Sequence, residues 1–387
     1  MLHLLLSIVA FVAVVADPRL TFTLTLVILF YATRFNERDF KVAVTATILS
    51  ALAIFMQKEI VYAAIFLLFF YDFRRNLLWD IAVYFSASML YFSVFSFVNG
   101  SSIPFEYIVF ISLSGALSAT LVETIKTETE KRVVLLIAVA TTFAVFRIYI
   151  PDTSLQDLAI AFAISFLISL LALKAKIADE SGLMSATIIG TTTILFTDFR
   201  FFAVLLAFYL LGSLATKFRY STKLKLGIAE PSGGARGFSN VFGNSLAPLF
   251  FAMNFGVTGD PFFALAFIAS VAEALGDTMA SEIGKTARNV YLITNFKRVA
   301  PGTSGGVSLI GEISALLGIL AIFLLSSALG ISDLFYAVPI VLSAFLGIHV
   351  DSFLGATLEE KGYLNNSAVN FLGTLSAGAL CYLFLIL

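Results

Sequence analysis

Four stretches of the chain set carboxylates, glycines and cations at the ends of apolar segments, the materials for holding a divalent cation and a polyphosphate. The sharpest is Glu273-Ala-Leu-Gly276-Asp277-Thr278-Met-Ala-Ser281-Glu282-Ile-Gly284-Lys285. Glu273, Asp277 and Ser281 recur every fourth residue, so a continuous helix lines them up on one face. Two carboxylates one turn apart repel each other unless a cation or a proton lies between them. Hard oxygen ligands suit Mg²⁺. A solvated helix end with incidental acids is the bland alternative. It fits poorly, because Glu273 lies a full turn inside apolar sequence.

The second stretch is Lys297-Arg298-Val-Ala-Pro301-Gly302-Thr303-Ser304-Gly305-Gly306-Val-Ser308-Leu-Ile-Gly311-Glu312, which leads into a long apolar segment. Backbone N–H groups at a glycine-rich helix start, with Thr and Ser hydroxyls, make an anion nest. The Gly-Lys-Ser/Thr ending of a Walker A loop is missing. The third, Glu230-Pro-Ser-Gly233-Gly234-Ala-Arg236-Gly237-Phe-Ser239-Asn240-Val-Phe-Gly243-Asn244, again opens a segment with glycines. Lys217, Lys223 and Lys225 lie upstream, and cations beside a helix start suit a polyphosphate. The fourth, Asp351-Ser352-Phe-Leu-Gly355-Ala-Thr357-Leu-Glu359, precedes Asn366 and Asn370, and Asp351 could complete a metal site with Asp277. A weaker patch is Lys174, Lys176, Asp179, Glu180, Ser181 and Gly182. His3 and His349 are the sole histidines; His349 reads as packed, and no Ser-His-Asp or zinc arrangement can be assembled.

These groups must be positioned by membrane helices. Of the 387 residues, 59% are hydrophobic and 13% charged, against about 45–50% and about 25% in soluble domains. The fold class is therefore all-α, a polytopic transmembrane bundle of about 13–15 spans, some short or re-entrant. The net charge of −1 gives no bulk attraction for nucleic acid. The single Cys381 excludes an internal disulfide and a Cys-rich metal site. The apolar start at 2–16 lacks a basic n-region and reads as a first span rather than a signal peptide.

Fifteen apolar segments are separated by short loops. With each loop numbered by the segment it follows, the even loops carry 20 of the 24 Lys and Arg, among them Arg34, Arg74, Lys217, Lys223, Arg236, Lys285, Arg288, Lys297 and Arg298. The odd loops carry only Arg19, Lys58, Arg147 and Arg200. This asymmetry places the even loops and the N-terminus in the cytoplasm and the C-terminus outside, in a multi-pass protein of the cell membrane. Residues 1–154 form spans with short loops, the mixed-charge loop at 123–132 reading as a solvated face. Residues 155–387 carry the polar groups inside or beside spans, where function is sought. Ser181-Gly182 with Ser304-Gly305, and Asn240/Asn244 with Asn366/Asn370, hint at an internal repeat.

Gly276-Asp277-Thr278, Ala280-Ser281-Glu282-Ile283-Gly284, Pro301-Gly302-Thr303-Ser304-Gly305-Gly306-Val307-Ser308 and Gly311 together resemble an integral-membrane family that includes the plastid phytyl-phosphate kinase of plants. The likeness extends to Arg236, Asn240 and Asn244, and to Asp351-Ser352, Leu354-Gly355-Ala356, and covers about 155–387. A Gly-Asp-Xaa-Xaa-Ala-Ser pattern before a glycine-rich loop is also similar to CTP-using polyprenol kinases and CDP-lipid synthases. The resemblance implies transfer of the γ-phosphoryl group of a nucleotide, CTP foremost, to an isoprenoid monophosphate. Phosphoryl transfer needs positioning and charge neutralisation above all. Asp277, Glu282 and Asp351 are then the expected Mg²⁺ ligands and, with Arg236, the catalytic residues, Glu273 standing behind them or joining them. Gly302, Thr303, Ser304, Gly305 and Gly306 are expected to cradle phosphates, with Lys217, Lys223, Lys285, Arg288, Lys297, Arg298, Asn240 and Asn244. The partners implied are an isoprenoid phosphate, a nucleotide and membrane lipid, with a second copy of the chain kept open. A polyprenol kinase, a CDP-lipid synthase and a secondary transporter are the competing readings. Transporter sites lie near the bilayer midplane, whereas these acids cluster at span ends.

Overall fold

A computed structural model describes residues 2–32, 36–73, 75–101 and 103–387. Arg34 and Arg74, counted above among the loop cations, lie outside the described residues. The chain divides into two compact units, Met1–Ala159 and Ile160–Leu387, so the division falls inside a helix rather than ahead of it at 154/155.

The first unit contains α1 (Leu2–Val12), α2 (Pro18–Ala32), α3 (Glu37–Leu52), α4 (Lys58–Leu67), α5 (Leu77–Asn99), α6 (Phe105–Thr124) and α7 (Lys131–Ile148). Asn36 and Asn76 cap α3 and α5 by accepting from Asp39 N and Trp79 N, satisfying amides that have no partner within the helix. Arg132, expected on a solvated face, is instead gathered into an ion cluster. Its guanidinium lies 2.7 Å from Asp39, 2.5 Å from Glu130 and 2.8 Å from His3.

α8 (Leu155–Lys174) leads into the second unit, which holds α9 (Glu180–Phe196), α10 (Phe199–Lys217), the short α11 (Tyr220–Lys225), α12 (Phe238–Thr258), α13 (Pro261–Gly284), α14 (Leu309–Ala328), α15 (Ala337–Leu354) and α16 (Asn366–Ile386). A π-turn, Gly355–Glu359, continues α15. Each of the fifteen expected apolar segments is a helix. Among the described residues nine are long and apolar enough to cross a bilayer, fewer than about 13–15. The remainder are shorter, except α7, whose eighteen residues include Lys131, Arg132 and Arg147. The chain is a polytopic all-α membrane protein. Its one named sheet, β1 (Val290–Leu292), β2 (Arg298–Val299) and β3 (Gly306–Val307), is antiparallel in the order β2-β1-β3 and sits between α13 and α14.

α13 is the pillar of the second unit and packs on α10, α12, α14, α15 and α16. Lipid tails are as apolar as leucine, so helices in a bilayer associate by close packing of small residues. A Cβ on Gly318 of α14 would lie 3.2 Å from Gly276 Cα of α13, so these backbones meet there without side chains between them. The loops at 218–237, 285–308 and 360–365 gather at one end of the unit, while Arg200 reaches Gly330 O (3.5 Å) at the other.

Candidate functional site

The gathered end of the second unit holds a cleft of about 710 Å³. The start of α12 reaches it through a backbone tie to α9. Arg236 N donates to Ile177 O (2.8 Å), and Asp179 N donates to Arg236 O (3.2 Å). Asp179 caps α9 through Gly182 N (2.8 Å), and Phe238 N donates to Ser181 Oγ (3.0 Å). A Cβ on Gly182 would fall 2.1 Å from Arg236 O, which explains the glycine. Three helices begin at the cleft. α12 starts after Gly237 with no side chain capping it, α14 after Ser308, which accepts from Gly311 N, and α16 after Asn365, which accepts from Ala368 N. Helix starts carry partial positive charge and unpaired N–H groups, a setting for anions.

Arg236 is the cation of this wall and is only 7% exposed. Its Nη1 donates to Asn240 Oδ1 (2.8 Å), and the guanidinium lies over Phe208 (5.2 Å) and Tyr209 (5.8 Å). A Cβ on Gly212 would reach 2.6 Å from Nη2. Among the described residues no carboxylate pairs with it. Burial draws its pKa below the usual arginine value, from a reference so high that it stays charged at neutral pH. An unpaired buried cation is costly without an anion. Lys285 lies opposite, 2.8 Å from Glu282 Oε1 and 2.9 Å from Glu230 Oε1. Burial opposes its charge, but these two carboxylates outweigh burial and hold its pKa above the ordinary lysine value.

The carboxylates separate into two kinds. Glu282 is taken by lysines, with Oε2 on the fully buried Lys223 and Oε1 on Lys285. In this structure it serves as their counter-ion, whereas the sequence places it among the expected metal ligands. Asp277 lines the cleft, and no described residue hydrogen-bonds its side chain. Asp351 lines the cleft and Glu273 lies behind it. Asp351 Oδ2 and Glu273 Oε1 are both buried without a hydrogen-bond partner. Both approach Gly373 of α16, where a Cβ would stand 2.5 Å from Glu273 Oε1 and 3.2 Å from Asp351 Oδ2. Among the described residues no three His, Cys, Asp or Glu side chains are placed to hold a metal ion by themselves. Mg²⁺ seldom needs such a cage, since one or two carboxylates plus substrate phosphates and water suffice. Asp277 and Asp351 fit that role, and Glu282 does not.

Gly373→Ala is expected to displace these carboxylates. Stability should fall by about 1–3 kcal/mol, the usual cost of overpacking, while activity falls by more than the lost folded fraction explains. Thermal unfolding and turnover measured on one preparation check this; equal losses in both would assign Gly373 to packing alone.

The 302–306 segment is not the helix start expected of it. It is a turn between β2 and β3, with Gly302 and Gly305 at φ +87° and +72°. The amides of Thr303 and Gly306 bond within or beside the turn, to Ala300 O (3.2 Å) and Thr303 O (2.9 Å). Ser304 Oγ donates to Glu359 Oε2 (2.9 Å), and a Cβ on Gly305 would lie 2.4 Å from Ala356 Cβ, so the turn is pinned to the end of α15. It still lines the cleft, through Gly302, Thr303, Ser304, Gly305 and Gly306.

The cleft thus brings together Arg236, Asn240, Asp277, Glu282, Lys285, Asp351 and the 302–306 turn. It does not take in Lys217, Lys223, Arg288, Lys297, Arg298, Asn244 or Glu273 as lining residues. Lys223 turns inward to Glu282. Lys297 and Arg298 stand exposed on the hairpin, Arg298 donating to Arg288 O (3.1 Å). Asn244 is buried and donates to Asn240 O (2.9 Å). Three wall acids, Glu230, Glu312 and Glu359, carry no role expected from the sequence. An acid in the first turn of a strongly apolar helix was the available signal for Glu312.

Residues 163–378 match the family described as "Integral membrane protein DUF92". The chain is 32% identical over 222 residues to the uncharacterized membrane protein sll0875 of Synechocystis, covering 56% of this chain and 86% of that one. It is 30% identical over 230 residues to the uncharacterized membrane protein MJ0933 of Methanocaldococcus jannaschii (58% and 93%). To Protein VTE6, chloroplastic, of Arabidopsis thaliana it is 34% identical over 214 residues (52% and 63%). No solved structure matches the chain.

Proposed function

Because the chain belongs to the DUF92 family of integral membrane proteins, which includes the plastid phytyl-phosphate kinase of plants, we propose that it is an isoprenoid-phosphate kinase. It takes the γ-phosphoryl group of a nucleoside triphosphate, CTP by preference, and forms the isoprenoid diphosphate. One observation carries the reading: Arg236, buried and without a carboxylate partner, lines the same cleft as Asp277 and Asp351.

An oxygen of the acceptor monophosphate forms the new bond to the γ-phosphorus. The bond from that phosphorus to the bridging oxygen breaks, and the nucleoside diphosphate leaves with the electron pair. A phosphate monoester is already anionic near neutral pH and needs no strong base, so the chain's task is alignment and charge neutralisation. Arg236, held by Asn240 and the Phe208 and Tyr209 rings, presents a planar fork to phosphate oxygens. Lys285 adds a second cation, positioned by Glu230 and Glu282. The starts of α12, α14 and α16 supply backbone donors. Asp277 and Asp351 would hold Mg²⁺, which when bound would neutralise phosphate charge. The charge asymmetry of the loops supports a cytoplasmic position for this end, where nucleotide is available.

The direct experiment incubates the purified protein with Mg²⁺, each nucleoside triphosphate, and isoprenoid monophosphates or alcohols, and separates products by chain length and phosphate number. Diphosphate formed from monophosphate is expected. Monophosphate formed only from the alcohol would make it a polyprenol kinase, and a CDP-linked lipid would make it a synthase.

A further inference from the structure

The cleft is closed on two of its membrane-side flanks. Toward α10, the buried Lys223 of α11 bridges Thr216 O (2.7 Å) and Glu282. Between α12 and α16, Ser239 and Ser367 join hydroxyl to hydroxyl, and a Cβ on Gly243 would lie 2.9 Å from Ser367 O. The third flank differs. α14 and α15 each pack closely on α13 and only sparsely on one another. The cleft wall there is Gly311 and Glu312 from α14 and Ile348, Asp351 and Ser352 from α15. Among the described residues the one ionic approach across this seam is His349 Nε2 to Glu312 Oε2 at 3.8 Å, beyond hydrogen-bond reach. Glu312 Oε2 is buried and has no hydrogen-bond partner.

Helical spacing extends this seam into the membrane. Leu342 and Leu346 share the His349 face of α15, and Leu316 and Leu320 share the Glu312 face of α14; all four are exposed. From these observations, and resting on the kinase reading, we infer that the α14–α15 seam is the doorway by which the acceptor lipid enters from the bilayer. Its isoprenoid chain lies along the two leucine stripes, and its phosphate passes the Glu312–His349 gap into the cleft. An amphiphile with an apolar tail and an anionic head is the occupant that an apolar seam leading to the cations Arg236 and Lys285 accommodates.

Two measurements test the doorway. A twenty-carbon isoprenyl monophosphate bearing a diazirine in its chain is photolysed with the protein in nanodiscs, and labelled peptides are mapped. Labels on 309–328 and 337–354 are expected; labels confined to α9, α10, α12 or α16 overturn the proposal. Leu346→Trp narrows the seam. KM for the twenty-carbon acceptor should rise by about tenfold or more, while KM for a soluble five-carbon monophosphate and for nucleotide stays within about twofold. An equal rise for both acceptors, or none, overturns it. If the unaltered protein phosphorylates neither acceptor, the kinase reading fails, and the labelling map still decides the doorway.

Discussion

Asp277→Asn should lower kcat for diphosphate formation by about 10³-fold or more, an increase of about 4 kcal/mol in the barrier, with the fold intact. The substitution is isosteric and removes one charge. No described residue hydrogen-bonds the Asp277 side chain, so no described hydrogen bond is lost. Asp277 belongs to the best-packed helix of the second unit, with Glu273 one turn before it fixed against α15 and α16, and the adjacent Gly276 fixed against α14 and α15. The carboxylate therefore holds its place at the cleft wall with no hydrogen-bond partner among the described residues, open to a metal-phosphate complex. The loss should appear in kcat, and more Mg²⁺ should restore it in part. Thermal unfolding within about 2 °C of the unaltered protein, a ΔΔG below about 1 kcal/mol, would show that the defect is chemical. Unchanged turnover would remove Asp277 from the mechanism and leave Arg236 lining a cleft without a metal.

Much of this arrangement was legible in the residues. Apolar runs of sufficient length can only become helices in lipid, and all fifteen did. The four polar stretches fall at three alternate loops, and alternate loops share one end of a bundle. What was not legible is which way each side chain turns. Lys223 and Lys217 both lie in a basic loop, yet a six-residue helix rotates Lys223 inward to Glu282 while Lys217 stays exposed. The 302–306 glycines read as a helix start because apolar sequence follows them. Pairing of Val290–Leu292 with two later strands, set by long-range hydrogen bonds, makes them a turn instead. His349 and Glu312 are separated by 37 positions, and only the packing of α14 and α15 on α13 makes them neighbours.

Lys223→Met should produce the opposite phenotype, a loss of stability ahead of any loss of rate. Lys223 is fully buried and Glu282 is 4% exposed. Removing one member of a buried pair leaves the other charge uncompensated, at a cost of about 3–5 kcal/mol. The lower end applies, because Lys285 remains on Glu282 Oε1. Thr216 O also loses its lysine donor. A fall in Tm on the order of 10 °C follows for a unit of this size. The double variant Lys223→Met with Glu282→Gln removes both charges and should recover most of that loss, since a neutral, volume-matched pair does not carry the desolvation penalty of an isolated ion. Lys285 keeps Glu230 as its partner in the double variant, so the cation at the cleft survives. Thermal unfolding of the single and double variants in one detergent measures the coupling directly. If Lys223→Met is as stable as the unaltered protein, the buried pair is not what fixes α11 against α13, and the cleft is held on that side by the apolar contacts of α10 instead.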